Sequence, residues 1–187
     1  LMENIFFDRS TLKSCGNYVI IGKTVRIRYP ELVEIGNNVI IDDFTYISTS
    51  LKLHSNIHIS SGCKIIGGKH AFVEMFPFST LAPNVVLSAG SDDYMDGIAT
   101  PMVPLGFKAD AIIGKITINK HCIVGANSVV LPNVTISEGA TLGAISLANK
   151  DLKGYKLYAG IPARLIKSRN KKNILKLEKK FYDKNCS

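Results

Sequence analysis

Aliphatic residues recur at every sixth position through most of this chain, and few folds can use that interval. Ile35, Ile41, Ile47, Leu53, Ile59 and Ile65 are spaced by six without a break. Met75, Leu81 and Leu87 resume the series after a four-residue insertion, and Ile118, Val124, Val130, Ile136 and Leu142 continue it beyond a long gap. Ile21 and Ile27 begin it two residues out of phase. An amphipathic helix needs a period near 3.6 and a half-buried strand a period of 2. Six satisfies neither. It suits a prism whose faces are short strands, with one aliphatic per face pointing inward. Four places after most anchors stands a small or β-branched residue such as Val39, Thr45, Cys63, Ser79, Cys122, Ser128 or Ala140, of a size to fit a corner. Turn-prone Gly36, Asn37, Asn38, Gly125, Asn127 and Gly143 lie between.

Three such faces make an 18-residue coil, and stacked coils pair as parallel strands about 4.8 Å apart. Counting then assigns columns. Ile35, Leu53, Met75, Ile118 and Ile136 share the first face. Ile41, Ile59, Leu81, Val124 and Leu142 share the second, and Ile47, Ile65, Leu87 and Val130 the third. The expected fold class is an all-β parallel solenoid in a single domain over 1–187. Within it, lead-in strands occupy 18–34, the hexad solenoid 35–150 with a long loop at 88–115, and a C-terminal segment with a short basic helix 151–187. The pattern fades after Leu142, and the amphipathic stretch at its end (Ile174, Leu175, Glu178, Phe181, Tyr182) is a candidate for the cap that a solenoid needs.

The same arithmetic disposes of two cysteines. Cys63 and Cys122 occupy small corner positions and read as core fillers. The four cysteines form no CxxC or Cys/His ligand spacing, so no metal site is expected. No run of about 18 apolar residues exists to span a membrane, and "LMENIFFDRS" shows no secretory signal. These features predict a reduced, cytoplasmic protein. The net charge of +8 is uneven: residues 164–184 hold nine basic residues against Glu178 and Asp183. Such a segment attracts nucleic acid, anionic lipid or a phosphorylated small molecule. With no nucleic-acid-binding motif and no stripe of aromatics, nucleic acid is the weakest of the three.

Hexads of the form "ITINKHCIVGANSVVLPNVTISEGATLGAISLANKDL", closed by "YAGIPARLIKSR", resemble the hexapeptide acyltransferases, with the galactoside and maltose acetyltransferases and related O-antigen and capsule enzymes as the nearest group. "SNIHIS" and "LAPNVVLS" match that group as well, so the resemblance covers about residues 35–167. It implies a left-handed β-helix, a homotrimer, acetyl-CoA as acyl donor, and active sites in the grooves between subunits. It further implies that Gly125, Ala126, Gly143 and Ala144 line the pantetheine arm, although both glycines also read as plain corner residues. Asn149 and Lys150 match a cofactor-contacting Thr-Lys pair. Arg164 matches an arginine near the phosphates, and Lys167 replaces a second arginine without its bidentate fork.

Acetyl transfer needs a base for the acceptor, stabilisation of the oxyanion and alignment of both substrates. The family's base is a histidine in the loop after the third-face strand of the middle coil. This chain has no histidine there; Asp92 stands at that place, with Asp93 beside it. Two readings stay open. Asp92 or Asp93 is the base, which asks less of a carboxylate if the acceptor is an amine; or His58, pointing outward on the second face beside Thr80, is the base and one of those aspartates orients it. Asp92 and Asp93 also suit an Asx-type turn. Tyr94 and His70 are candidate acceptor contacts, and His54 and His121 read as structural. The leading expectation is O-acetylation of a sugar in surface-polysaccharide synthesis. The alternatives are N-acetylation of a nucleotide-linked amino sugar, which the missing histidine and basic tail favour, and a non-catalytic β-helix scaffold.

Overall fold

The computed structural model describes residues 7–96, 98, 100, 102–107 and 110–185. The chain winds into a left-handed parallel β-helix of about seven turns, followed by one helix. The columns close where counting places them. On the first face Ile35 pairs with Leu53, Leu53 with Met75, Met75 with Ile118 and Ile118 with Ile136. On the second the ladder runs Ile41, Ile59, Leu81, Val124, Leu142, and on the third Ile47, Ile65, Leu87, Val130. These anchors are buried, each contributing about 1.5–3 kcal/mol of apolar transfer. Cys63 and Cys122 are wholly buried among them.

The solenoid is longer at both ends than the hexads indicate. Ile21 pairs with Ile41 and Cys15 with Ile35, so the lead-in strands already form a coil. After Leu142 the second-face column continues to Tyr158 and the first-face column bridges Ile136 to Leu152. The chain then reverses: strand Arg164–Ser168 returns antiparallel along Lys156–Ala159.

Each face presents a different row to the outside. The first carries Glu34, Lys52, Glu74, Thr117 and Thr135, with Glu74 bound to His54 at 3.1 Å and to Lys115 at 3.0 Å. The second carries Ile20, Ile40, His58, Thr80, Ile123, Thr141 and Leu157, an almost uncharged row.

The C-terminal helix, Lys171–Asn185, does not cap the end of the prism. It lies along the corner between the first and second faces, a column of left-handed residues that includes Asn38, Asn56, Phe78, His121 and Tyr155. Asn and His tolerate that conformation; bulky Phe78 and Tyr155 are unusual in it. Phe78, His121 and Tyr155 all meet the helix, as does Lys120 beside His121. Lys171 Nζ lies over the Tyr155 ring at 4.8 Å, Glu178 binds His121, and Phe181 packs edge-on to Phe78. Ten helical residues rise about 15 Å, which matches three coil spacings of about 4.8 Å. Among the described residues no helix is long and apolar enough to cross a membrane.

Candidate active site

The long interruption begins where the third-face strand Val86–Ser88 ends. Gly90–Ser91 pairs antiparallel with Ile112–Ile113, so a two-residue ladder pins the root of the loop. That root rests on the four-residue insertion of the preceding coil. A Cβ on Gly67 would lie 2.7 Å from Gly90 N, and one on Gly90 would lie 2.5 Å from Gly67 O. The two irregularities are therefore one construction. The insertion is a bulge within strand Lys64–Met75, and His70 stands exposed on it.

Beyond the root, Asp93 makes the Asx-type turn. Its carboxylate accepts the backbone N–H of Met95 at 3.1 Å and of Asp96 at 2.9 Å. The turn presents Tyr94 almost fully to the outside, at 86% exposure. Asp92 is exposed, and among the described residues its carboxylate accepts no hydrogen bond; only its carbonyl does, from Ser91 Oγ at 2.9 Å. Met95, Ile98, Met102, Phe107, Ile112 and Ile113 are also exposed, a large apolar burden for one loop.

His58 faces outward on the second face with Thr80 as its neighbour on the next coil. Its carboxylate partner in the chain is neither Asp92 nor Asp93 but Asp42, with Nε2 and Oδ2 2.8 Å apart. The reason is topological: the loop leaves from the third face, whereas Asp42 follows the second-face anchor of the adjacent coil. Sequence reasoning missed Asp42, although counting back 16 residues within an 18-residue coil reaches it. The pair borders a depression of about 480 Å3 lined by Asn38, Ile40, Asn56, Thr80 and, from the helix, Phe181. Phe181 was equally missed, because helix docking leaves no trace in the hexads. His54 stacks on Phe76 at 4.5 Å and serves the first face.

Gly125, Ala126, Gly143 and Ala144 stack at the corner between the second and third faces. The glycines are there for stacking: a Cβ on Gly125 would meet Ala144 N at 2.4 Å, and one on Gly143 would meet the Ala159 side chain at 3.1 Å. The space they leave is filled by the next coil, not by an outside groove. Of the four, Ala144 is exposed, whereas Ala126 is half-buried like the two glycines. Beyond them, exposed Asn149 and Lys150 follow strand Leu147–Ala148, and exposed Arg164 and Lys167 lie on the returning strand. An edge of small side chains ending in cations fits a ligand with a slender arm and phosphates. Among the described residues no group of three His, Cys, Asp or Glu side chains could hold a metal ion.

The chain is 34% identical over 186 residues to a dTDP-4-amino-4,6-dideoxy-D-glucose acyltransferase of Escherichia coli, covering 96% of this chain and 94% of that enzyme. Its fold superposes on AntD, an N-acyltransferase from Bacillus cereus solved with dTDP and 3-hydroxybutyryl-CoA, with a TM-score of 0.91, 34% identity and coverage of 99% of this chain and 100% of that one. Likeness to the galactoside O-acetyltransferase of Escherichia coli K12 is thinner, at 23% identity over 82% of this chain and 65% of that enzyme. No protein-family model matches the chain.

Proposed function

We propose that this chain, which belongs to the hexapeptide-repeat acyltransferases, transfers an acyl group from acyl-CoA to the amine of a nucleotide-linked amino sugar. The observation that carries the reading is the loop after Val86–Ser88, which offers Asp92 exposed and Asp93 locked in a turn, with no histidine. Full-length likeness to enzymes named for dTDP-amino sugars and CoA supports it. It replaces the expectation of sugar O-acetylation, which rested on the thinner galactoside likeness.

The chemistry follows from the nucleophile. A hydroxyl must lose its proton as it attacks, which demands a strong base. A neutral amine attacks unaided; the nitrogen then carries positive charge and its proton becomes acidic enough for a carboxylate to take. The C–N bond forms, Asp92 takes the proton from nitrogen, the C–S bond breaks, and Asp92 returns that proton to the departing sulfur, so that CoA leaves as the thiol and the carboxylate is restored. Asp93 is the positioning residue, since its oxygens hold the backbone of the turn. Tyr94, beside it, and His70, on the bulge under the loop root, are placed to meet the acceptor.

CoA is the acyl donor, its arm along Ala126 and Ala144 and its phosphates toward Lys150, Arg164 and Lys167, with Asn149 at the edge. A homotrimer completes the site. The uncharged outer row of the second face and the exposed apolar side chains of the loop are surfaces for neighbouring copies. In that assembly a neighbour's loop brings its aspartates to the groove that His58 borders.

The test is CoA-thiol release from acetyl-CoA and 3-hydroxybutyryl-CoA, with dTDP-4-amino-4,6-dideoxyglucose or a simple galactoside as acceptor. Turnover on the amino sugar, with kcat falling at least about tenfold in Asp92→Asn, is expected. Asp93→Asn should raise KM as well, and His58→Ala should change KM more than kcat. Faster turnover on the galactoside, or normal kcat in Asp92→Asn, would overturn the assignment. Absence of CoA binding would favour a scaffold.

A further inference from the structure

The charge of this chain is segregated. Residues 149–187 hold twelve of its Lys and Arg residues and three acidic ones, whereas everything before them is close to neutral. Lys150, Arg164 and Lys167 belong to the donor site proposed above. The helix lysines do not, and apart from Lys171, which lies over Tyr155, folding gives no reason for them.

On Lys171–Asn185, Ile174, Glu178 and Phe181 follow helical spacing and form the stripe facing the prism. The acidic residue Glu178 is thus spent inward, on Lys120 and His121. Opposite lies a second stripe, Lys172, Lys176, Lys179 and Lys180, at spacings of four, seven and eight, all exposed. Asp183 is the acidic exception on that side. The arrangement works against the helix itself. Like charges stand four apart at Lys172–Lys176 and Lys176–Lys180, and the first turn carries lysines and no acid, against the macrodipole. An ordinary solvated helix mixes signs.

Apolar side chains flank the cations. Leu175 and Leu177 border the lysine stripe on either side, 38% and 57% exposed, Leu177 also reaching the edge of the depression between helix and prism. The helix also exposes Phe181 and Tyr182 in part, but both pack edge-on to Phe78, so the side chains flanking the lysines are aliphatic, which favours a bilayer over nucleic acid with its need for stacking aromatics.

We propose that the lysine stripe of the C-terminal helix, with Leu175 and Leu177, is a docking surface for an anionic lipid bilayer. Lysines lie near the headgroup charge and their stems and the leucines enter the interface. This stands apart from the acceptor reading and survives its failure.

The experiment is co-sedimentation of the full chain with phosphatidylcholine vesicles, with and without phosphatidylglycerol, at low and high salt. Binding is expected only to the anionic vesicles, and reduced by salt. Combined replacement of Lys172, Lys176, Lys179 and Lys180 by Gln should weaken it at least about a hundredfold. Leu175→Ser with Leu177→Ser should weaken it with the charge intact, and both variants should keep CoA-thiol release. Helicity by circular dichroism confirms that the helix persists; should the Gln variant lose it, a Glu variant with the same charge logic replaces it. Equal binding to neutral vesicles, undiminished binding by the lysine variant, loss of binding in saturating CoA, or stronger retention by RNA than by vesicles would each overturn the proposal.

Discussion

His121 Nε2 and Glu178 Oε2 lie 2.8 Å apart across 57 positions of sequence. This contact, with the ion pair from Lys120 to the same carboxylate, ties the last helix to the middle of the prism. His121 also stacks on Phe78, with ring centroids 5.3 Å apart, and Phe181 and Tyr182 close over Phe78 edge-on. Because Phe181 lines the depression beside His58, the latch that holds the helix also shapes that wall.

Replacing Glu178 by Ala leaves Lys120 and His121 without their shared carboxylate. The expected cost is about 1–3 kcal/mol of helix docking, with little change in the cooperative unfolding of the prism, whose core does not include the helix. Amide exchange should accelerate across Lys171–Asn185 and not in the ladder strands. Uniformly faster exchange would show that the helix is integral to the fold.

Acid should act through the same carboxylate. Burial pushes the Glu178 carboxyl up, but hydrogen bonds from Lys120 and His121 outweigh it and hold it below the ordinary value. Glu74 is likewise pushed up by burial and brought lower by His54 and Lys115. A group with a depressed folded pKa contributes stability that is complete above the unfolded value, about 4.3 for Glu, and is lost as pH falls through the folded value. The thermal midpoint of the prism should therefore drop below about pH 4.5 through Glu74, and helix docking, read by amide exchange across Lys171–Asn185, should loosen over the same range through Glu178; Glu74→Gln should flatten the first dependence and Glu178→Gln the second. An unchanged slope would assign acid sensitivity elsewhere.

Thiol labelling gives an independent check on the core. Burial pushes the Cys63 thiol up to about 11 and the Cys122 thiol up to about 12. Neither will form thiolate near neutral pH, and neither is accessible. With the native chain at about pH 8, a maleimide should leave both unmodified until denaturant is added, as read by peptide mapping. Labelling of Cys63 in the native state would contradict the column assignment.

The prism was legible because its information is local and repeated. An inward aliphatic every six residues fixes both the face and, through the 18-residue coil, the partner; Ile41 meeting Ile59 and Val124 meeting Leu142 needed no more than counting. Where coil length changes, counting loses its hold. The insertion before Met75 shows in the sequence only as four extra residues, yet it is a bulge on which the later loop rests through Gly67 and Gly90. Contacts outside the repeat were hidden for a different reason. Glu178 reaches His121 only after the chain has reversed and run back along three coils, and no periodicity records that path. A signal existed nonetheless: Phe78, His121 and Tyr155 occupy corner positions that Asn38 and Asn56 fill elsewhere. The signal is partial, since Tyr18, Phe44 and Ile145 are equally bulky in left-handed corners and stand exposed.

The corner between the second and third faces separates stacking from cofactor contact. Gly125 and Ala144 are neighbours on consecutive coils, yet they face different demands. A Cβ at position 125 would lie 2.4 Å from the backbone nitrogen of Ala144, which cannot yield without shifting a coil. Gly125→Ala should therefore destabilise the prism by about 1–3 kcal/mol, seen as a lower thermal midpoint whether or not CoA is present. Ala144 is exposed, and it is its backbone that meets position 125. Ala144→Leu should leave the midpoint of the free chain nearly unchanged while raising KM for acyl-CoA, because added bulk there narrows the edge along which the pantetheine arm is proposed to lie. Stabilisation by saturating CoA should shrink in the same variant. An Ala144→Leu chain with normal KM would move the arm to another edge, and a Gly125→Ala chain of normal stability but raised KM would restore the glycine to the binding surface.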